Sequence, residues 1–455
     1  MTQTLWADCA LTADGWQRDV RIDVNADGLI SAISPNESTV ESRYGLVAPA
    51  LANLHSHAFQ RAMAGMSEVR GTDSQESFWS WRTLLYRFLQ HLSPDDLEVI
   101  TAFAQMEMLE SGYASVGEFH YLHHQVGGLP YDNVAEMSER IISAAQTTGI
   151  GLTLLPVLYE QGGCDGRALV NGQQRFGGSF DDYAHLYSVA EKQIRVFGRN
   201  ANIGVAPHSL RAVRSSSFSQ VVELAKGAPV HLHIAEQEAE VKEVESVLGS
   251  RPVQWLLDHQ AVGNHWCLIH ATHMNPNETT QLAKSGATVG LCPITESNLG
   301  DGIFDGKRYM DANGAWGIGT DSNIRISLSE ELRTLEYSQR LRDRRRAVMA
   351  NANESNGHRL YSSAAVGAAQ ALQRNTGSIA VGKQADLIAL DVNSPTFLGV
   401  AENNWFDAWL FAGDDSLVTD VWSCGNHVVS FGRHTAHDSI ESAYRNTLLS
   451  LKQRL

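Results

Sequence analysis

Histidine pairs with i, i+2 spacing are the first residues of this sequence that could do chemistry. His55 and His57 flank a serine at the end of one apolar run, and His231 and His233 end another. Side chains two residues apart on a strand point to the same side, so His55 and His57 could bind one metal ion. His233 could complete a set of three histidines. Because the sequence holds 18 histidines, a single pair could equally be two buried residues bonded to backbone groups.

Two carboxylates and a further histidine follow other apolar runs. Glu236 lies three residues after the second histidine pair, where it could move protons beside a bound metal. Asp321 ends the run WGIGTD and offers an oxygen ligand that could also accept a proton, while His270 lies in the run HWCLIHA. The alternative for Glu236 is a solvated residue at the start of an acidic helix. A solvated position is what we expect for Glu238 and Glu240.

Eight short apolar runs would position these residues. They begin near residues 46, 113, 150, 201, 229, 265, 287 and 316, and they lack the alternation of a strand with one solvated face. Such runs are typical of parallel strands that are covered on both faces. Helical patterns separate them, and one helix is predicted to begin at Ser93-Pro94 and to close at Gly112. We therefore predict an α/β fold, a (β/α)8 TIM-like barrel with its site at the C-terminal ends of the strands.

The two ends of the chain have a different pattern. Both show short strand-like segments with turns, and the chain closes with a helical segment. We predict that they form one small β-sandwich domain together. Residues 1–48 are predicted to form the N-terminal part of this composite β-domain, and residues 49–380 the metal-dependent barrel, which is the catalytic domain. Residues 381–455 are predicted to form the C-terminal part of the β-domain and a terminal helix.

Composition narrows the classes of partner and compartment. The 455 residues include 35 basic and 51 acidic side chains, which gives a net charge of −16 and disfavours nucleic acids and membrane surfaces as partners. Five scattered cysteines do not form a disulfide framework, so we expect a reduced cytoplasm. Neither a secretory signal nor an apolar run long enough to cross a bilayer is evident in the sequence.

The motifs HSH, HIAE, IHATH and GIGTDSN, with the flanking LVAPALANLHSH and GSIAVGKQADLIALD, resemble the amidohydrolase superfamily over essentially the whole chain. The resemblance points to its deaminase branch, which uses one metal ion. Members with two ions carry a bridging lysine or glutamate on the fourth strand, and the matching run ANIGVAPHSL has neither. The resemblance implies one divalent ion per subunit, zinc in the first place and iron or manganese as alternatives. It also implies the site residues, with His55, His57, His233 and Asp321 as ligands and Glu236, His270 and Asp321 as catalytic residues.

Four further stretches resemble, within that branch, the deiminases of N-formimino-L-glutamate. They are HAFQRAMAGM at residue 57, FWSWRTLLYRFLQHLSPDD at 78, GEFHYLHH at 117 and APHSLRAV at 206. The resemblance implies hydrolysis of a linear amidine C–N bond in histidine degradation, with N-formyl-L-glutamate and ammonia as products. It also implies a homodimer, and substrate contacts from Gln60, Arg82, Tyr121, His208 and Arg211.

A small dianionic substrate would need local positive charge in so acidic a protein. Arginine binds a carboxylate through two parallel hydrogen bonds, which suits Arg82 and Arg211. From spacing alone, an ordinary surface ion pair explains either arginine equally well.

Two other functions remain as alternatives. A deaminase of a purine or another aminated heterocycle would use the same metal motifs, but it would need aromatic walls and hydrogen bonds to a ring edge. A non-catalytic barrel that serves as an assembly module would be expected to have lost ligands, and the predicted ligands are all present in the sequence.

Overall fold

A computed structural model describes residues 3–37, 43–68 and 78–454 of the chain. The described residues form seventeen strands, which are in chain order β1 Gln3–Thr12, β2 Gly15–Val24, β3 Ile30–Ser34, β4 Tyr44–Pro49, β5 Leu51–Ser56, β6 Tyr113–His120, β7 Gly151–Leu158, β8 Ala201–Ile203, β9 Ala206–Pro207, β10 Val230–Ile234, β11 Trp266–His270, β12 Thr288–Leu291, β13 Ala315–Ile318, β14 Leu387–Leu390, β15 Val418–Ser423, β16 Asn426–Ser430 and β17 Arg433–His434.

Helices fill most of the intervals between these strands. In the described part of the chain they are α1 Phe78–Leu89, α2 Pro94–Glu110, α3 Glu136–Thr148, α4 Phe180–Arg195, α5 Ser215–Ala225, α6 Glu238–Leu248, α7 Pro252–His259, α8 Pro276–Ser285, α9 Pro293–Leu299, α10 Gly306–Asp311, α11 Leu328–Asp343, α12 Asn356–Ala371, α13 Trp405–Ala412 and α14 His437–Arg454. No helix among these residues is long and apolar enough to cross a membrane.

The predicted apolar runs form parallel strands in two sheets. One sheet has the order β5-β6-β7-β8, with β9 also paired to β7, and the other has the order β10-β11-β12-β13. Nearly all of their residues are buried, which explains why the runs lack alternation. Isolated parallel bridges, Ser56 to Asp321 and Val205 to Val230, join the two sheets at both of their ends. The predicted α/β fold with parallel strands is therefore confirmed.

Helix α2 shows how local sequence sets these elements. Ser93 caps its N-terminus and accepts the backbone N–H of Asp96, whose carboxylate in turn accepts the Ser93 N–H. Pro94 occupies the first turn, as the sequence predicts. The helix ends at Glu110, two residues before Gly112, which has a φ of 103°.

Strands from both chain ends lie in one sheet of order β17-β16-β15-β14-β4-β1-β2-β3. Strand β4 is the centre of this arrangement, because it pairs in parallel with β1 and antiparallel with β14. Helix α14 packs on α2, where Phe103 and Tyr444 stack with ring centroids 3.8 Å apart. The second layer of a sandwich and the domain boundaries stay predictions.

Candidate active site

Four predicted ligands meet where β5, β10 and β13 end. His55 Nε2 lies 3.1 Å from His233 Nε2 and 3.5 Å from Asp321 Oδ1, and His57 Nε2 lies 3.2 Å from the same carboxylate oxygen. All four side chains are buried, and their ligand atoms lie within 4.8 Å of one another. Three imidazoles and one carboxylate form a donor set that suits a divalent transition metal.

Backbone carbonyl groups orient two of these histidines. His57 Nδ1 lies 2.8 Å from the Phe119 carbonyl oxygen, and His233 Nδ1 lies 3.2 Å from that of His208. A carbonyl oxygen only accepts, so each Nδ1 carries a hydrogen and each Nε2 points into the cluster. This is the ring orientation that a metal ligand needs.

The protonation states agree with that arrangement. Burial lowers the pKa of His55 to about 3 and holds the pKa of His233 well below its usual value, so both rings are neutral at neutral pH. Burial alone would raise the pKa of Asp321, but hydrogen bonds with His55 and His57 hold it well below its ordinary value. The cluster therefore contains the neutral rings of His55 and His233 and one anionic carboxylate.

The backbone around Asp321 is held in an uncommon conformation. Asp321 has a φ of 45°, in the left-handed region that side chains other than glycine rarely adopt. Its N–H and that of Thr320 both donate to the carbonyl oxygen of His55 at 3.0 Å. Asn53 binds Thr320 twice, through its Nδ2 at 2.7 Å and its Oδ1 at 3.1 Å. These bonds offset the strain that left-handed geometry costs at such sites.

The candidate proton carriers stand beside the ligand cluster. His270 Nε2 lies 3.9 Å from Glu236 Oε1 and 3.8 Å from Asp321 Oδ2, and its Nδ1 lies 3.2 Å from Glu296 Oε1. Burial raises the pKa of Glu236, although the neighbouring His270 opposes this. Burial would lower the pKa of His270, but Glu236, Glu296 and Asp321 raise it to about 10. A divalent cation in the cluster would act against that rise.

A cavity of about 590 Å³, partly open to solvent, contains nearly every predicted site residue. His55 is the exception, since it is fully buried and does not line the cavity. The predicted residues that line it are His57, Gln60, Arg82, Tyr121, His208, Arg211, His233, Glu236, His270 and Asp321.

Comparisons with known proteins identify the family. The sequence pattern of the amidohydrolase family matches residues 46–425. The chain belongs to this family. A second pattern, that of the N-terminal domain of formimidoylglutamate deiminase HutF, matches residues 2–40. The amidohydrolase is 45% identical over 450 residues to the formimidoylglutamate deiminase of Pseudomonas aeruginosa, and the match covers 98% of each chain. These matches confirm the predicted family.

Two solved structures resemble the amidohydrolase over almost its whole length. An amidohydrolase from Brucella melitensis has 43% identity and a TM-score of 0.93, and the match covers 99% of each chain. An adenosine deaminase from Xanthomonas campestris with bound zinc has 20% identity and a TM-score of 0.82, covering 99% of this chain and 98% of the other. At that identity, the second likeness shows the fold alone.

The two arginines of this amidohydrolase lie in different surroundings. Arg82, on α1, donates to the hydroxyl groups of Tyr86 and, at 3.2 Å, Tyr159. Arg211 is buried, and its Nε has no hydrogen-bond partner among the described residues. A buried guanidinium that lines a cavity with an unpaired donor is suited to an anionic ligand.

Two smaller contacts lie in this part of the cavity. Gln60 Nε2 donates to the Tyr121 hydroxyl at 2.7 Å, while Gln60 Oε1 is buried without a partner in the described part of the chain. His208 Nδ1 lies 3.1 Å from Ser209 Oγ, and the ring is half-buried.

Sequence reasoning missed the apolar and aromatic residues that shape the cavity. Three of them, Trp81, Leu85 and Tyr86, lie on α1. The one signal for them in the sequence is the high aromatic content of this segment. The others come from distant parts of the chain and belong to no motif; they are Tyr159, Phe176 and Leu299.

The solvated position predicted for Glu240 is wrong. Glu240 is buried, and its carboxylate accepts the backbone N–H groups of Ala235 and Glu236 at 3.1 and 3.0 Å. Ala235 has a φ of 51°, so this carboxylate supports a left-handed turn that carries Glu236. Glu238 is exposed, as expected, and pairs with Lys242.

Proposed function

We propose that this amidohydrolase hydrolyses the formimino C–N bond of N-formimino-L-glutamate in histidine degradation. Water adds its oxygen to the formimino carbon, and the products are N-formyl-L-glutamate and ammonia. The likeness to a formimidoylglutamate deiminase over 98% of the chain supports this reaction. The observation that carries the proposal is a single cavity that holds a metal-ligand cluster together with two arginines. A substrate with an amidine-like group and two carboxylates matches both parts.

The proposed metal site consists of His55, His57, His233 and Asp321, which would hold one divalent ion, zinc in the first place, with iron and manganese as the alternatives. A divalent ion bound there would lower the pKa of a coordinated water to about 7. The donor set supports this assignment, since imidazole suits zinc and iron and carboxylate suits manganese. The fourth strand region, β8 and β9, carries no lysine or glutamate that could bridge a second ion.

The candidate proton carriers would have different roles, which follow from their positions. Asp321 would accept the proton of the attacking water, because its Oδ2 faces His270 and its carboxylate is ionised. Glu236 would relay a proton to the departing nitrogen, since burial raises the pKa of this carboxyl toward the range where it can both accept and donate. His270 would donate a hydrogen bond through Nε2 to the attacking oxygen and stabilise the tetrahedral adduct.

Arg82, Arg211, Gln60, Tyr121 and His208 would bind the rest of the substrate. The guanidinium groups suit the two carboxylates, and the unpaired Nε of Arg211 supports its part in this. The Tyr121 hydroxyl accepts from Gln60, which leaves its own hydrogen free to reach a carboxylate oxygen.

The architecture proposed with this function is one (β/α)8 barrel over residues 49–380. The bridges at both ends of the two parallel sheets support closure into a single barrel. Residues 1–48 and 381–455 would form the small sandwich domain with its terminal helix, and the sheet that contains strands of both ends supports this division. We propose a cytoplasmic homodimer whose partner in function is a small dianionic substrate, without nucleic acid or membrane.

A deaminase of an aminated heterocycle is the second candidate. The aromatic side chains of Tyr86, Tyr159 and Phe176 line the cavity, and a heterocycle could stack on them. A relative that is 24% identical over 82% of this chain is a 5-methylthioadenosine/S-adenosylhomocysteine deaminase of Natronomonas pharaonis. The two cavity arginines favour the dianionic amino acid derivative.

Ammonia release separates these functions. The metal-reconstituted protein is incubated with formimino-glutamate, formimino-aspartate, guanine, cytosine and 5-methylthioadenosine. We expect turnover of formimino-glutamate, slower turnover of formimino-aspartate and none of the heterocycles. Turnover of a heterocycle without turnover of either formimino acid would overturn the proposal. Metal analysis of the purified active protein identifies the native ion.

A further inference from the structure

His270 stands on an unusual stretch of backbone at the end of β11. His270 and Ala271 have φ values of 68° and 49°, so two consecutive residues other than glycine adopt left-handed geometry. The Ala271 N–H donates to the carbonyl oxygens of Ile234 and Ile269, both at 3.0 Å. This geometry costs energy and persists where surrounding contacts hold it. The backbone therefore fixes the position from which the His270 side chain extends, but the orientation of the imidazole ring depends on side-chain contacts.

Glu296 makes the contact that sets this direction. Its Oε1 lies 3.2 Å from His270 Nδ1, on the side of the ring away from Glu236 and Asp321. The same oxygen accepts the backbone N–H of Cys292 at 2.9 Å. A carboxylate oxygen only accepts hydrogen bonds, so the imidazole nitrogen that faces it is a donor. His270 therefore carries a hydrogen on Nδ1.

Helix α9 holds this carboxylate rigidly. It begins at Pro293, directly after the β12 region, and Glu296 lies in its first turn. Ile294 donates its N–H to Glu331 Oε2 at 2.9 Å, which ties α9 to α11. Thr295 donates its hydroxyl to the carbonyl oxygen of Thr320 at 3.2 Å, next to Asp321. One short helix thus contacts both the loop of Asp321 and the ring of His270.

We propose that Glu296 is a positioning residue for the reaction, one that acts through His270. It fixes the ring so that Nε2 faces Glu236 and Asp321, where the attacking oxygen must bind. The ligand histidines His57 and His233 are oriented by neutral carbonyl groups, whereas His270 is oriented by a carboxylate. Hydrogen bonds with a charged acceptor are stronger, which suits a ring that must not rotate during turnover. This inference rests on the proposed function of the site.

A merely structural role is the alternative, since Glu296 also accepts the Cys292 N–H. Glu331→Met provides a matched control, because Glu331 is a second buried carboxylate that binds a backbone N–H of α9 but does not contact His270. For Glu296→Met we expect kcat to fall by roughly 10–100-fold, the size typical of residues that orient a functional histidine. The KM and the metal content should stay within about twofold of wild type, and Glu331→Met should keep kcat.

Two results with Glu296→Met would overturn the inference. The first is an equal loss of kcat in Glu296→Met and Glu331→Met, which would assign the effect to helix α9 as a whole. The second is a KM that rises while kcat stays constant in Glu296→Met. If Glu296→Met does not fold, Glu296→Gln replaces it. The amide oxygen of Gln is a weaker acceptor, so kcat should fall less, by about 3–10-fold, and an unchanged kcat would count against the inference.

A double-mutant cycle tests whether Glu296 acts through His270. In a His270→Asn protein the imidazole is gone, so adding Glu296→Gln should lower the residual turnover by less than about twofold. A further loss as large as that in the wild-type background would overturn the inference.

The hydrogen position on the ring gives a readout that needs no substrate. In metal-loaded protein labelled with 15N-histidine, the His270 signals, assigned by their loss in His270→Asn, should show a protonated Nδ1 in the wild type. That pattern should change in Glu296→Met. A bare Nδ1 in the wild type would overturn the inference whatever the substrate proves to be. If the wild type shows the expected pattern but releases no ammonia from formimino acids, the proposed function fails and the positioning of His270 stands.

Discussion

Asp321 and His57 are joined twice. The backbone N–H of His57 donates to the carbonyl oxygen of Asp321 at 2.9 Å, and His57 Nε2 lies 3.2 Å from the Asp321 carboxylate. The first contact connects the segment after β5 with the segment after β13, and the second belongs to the ligand cluster. The backbone connection does not depend on the carboxylate, so chemistry and fold can be separated by substitution at Asp321.

Asp321→Asn should lose metal and activity while the protein stays folded. An amide oxygen is a weaker ligand than a carboxylate and cannot accept the proton of water, so we expect kcat to fall by at least about 100-fold. Metal content after dialysis should drop, and the far-UV circular dichroism spectrum should be unchanged. Asp165→Asn, at an exposed ion pair with Arg167, is the control. Full metal content and normal kcat in Asp321→Asn would remove Asp321 from both roles.

Glu236→Gln should keep the metal and lose turnover. Glu236 faces His270 at 3.9 Å and is not among the clustered ligand atoms, and an amide cannot relay a proton. We expect kcat to fall by about 100- to 10,000-fold, the contribution typical of general acid–base catalysis. Metal content and kcat are measured on the same preparations. Glu238→Gln, two residues along the chain and exposed, should behave as wild type. A near-normal kcat in Glu236→Gln would contradict the assigned role.

Arg82→Met should weaken substrate binding more than it slows chemistry. Hydrogen bonds to charged groups contribute about 1.5–3 kcal/mol, so losing a carboxylate contact should raise KM by roughly 10–100-fold. Steady-state ammonia release over a range of formimino-glutamate concentrations gives both constants. Arg87→Met is the control, since Arg87 lies on the same helix and is exposed. An unchanged KM would exclude Arg82 from the carboxylate site.

The parallel strands and the clustering of the proposed metal ligands could be predicted from sequence because burial and chemistry coincide there. A strand covered on both faces appears in the sequence as an uninterrupted apolar run. His55, His57 and His233 lie within or directly after such runs. The sequence predicts one strand in the run at residue 201, but the structure has two short strands there, β8 and β9. Gly204 lies between them, where a Cβ would come within 2.5 Å of the Pro229 carbonyl oxygen. Such a close approach leaves no pattern in the sequence.

The rest of the site depends on contacts between distant segments. The sequence around Glu240 predicts an acidic, solvated helix, but its carboxylate is buried and accepts the backbone N–H of Glu236. Glu296 belongs to no motif, and only the fold brings it to His270, 26 residues earlier in the chain. The spacing of apolar residues predicts which face of a helix or strand is buried. It does not predict which buried polar groups form hydrogen bonds with each other.

The ion pair of Asp96 with Arg454 should make part of the stability depend on pH. Arg454, near the end of α14, donates to both carboxylate oxygens of Asp96 on α2, at 2.9 and 3.0 Å. Burial would raise the pKa of Asp96, but the hydrogen bonds of Arg454 and Ser93 lower it below its ordinary value. The unfolded chain then binds more protons than the folded chain in the interval between the two pKa values. The contribution is therefore complete above the unfolded value of about 3.9 and is lost as pH falls through the folded pKa.

Arg454→Met should accordingly lower the melting temperature at pH 7 and lose this effect in acid. Because the arginine is partly exposed, we expect a loss of no more than about 1 kcal/mol, which corresponds to about 1–2 °C for a chain of this length. Thermal unfolding followed by circular dichroism from pH 7 to pH 3 measures the difference from wild type. Arg445→Met, at an exposed pair on the same helix, is the control. A difference from wild type that stays constant down to pH 3 would show that the packing of the Arg454 side chain, and not the charge of Asp96, joins α14 to α2.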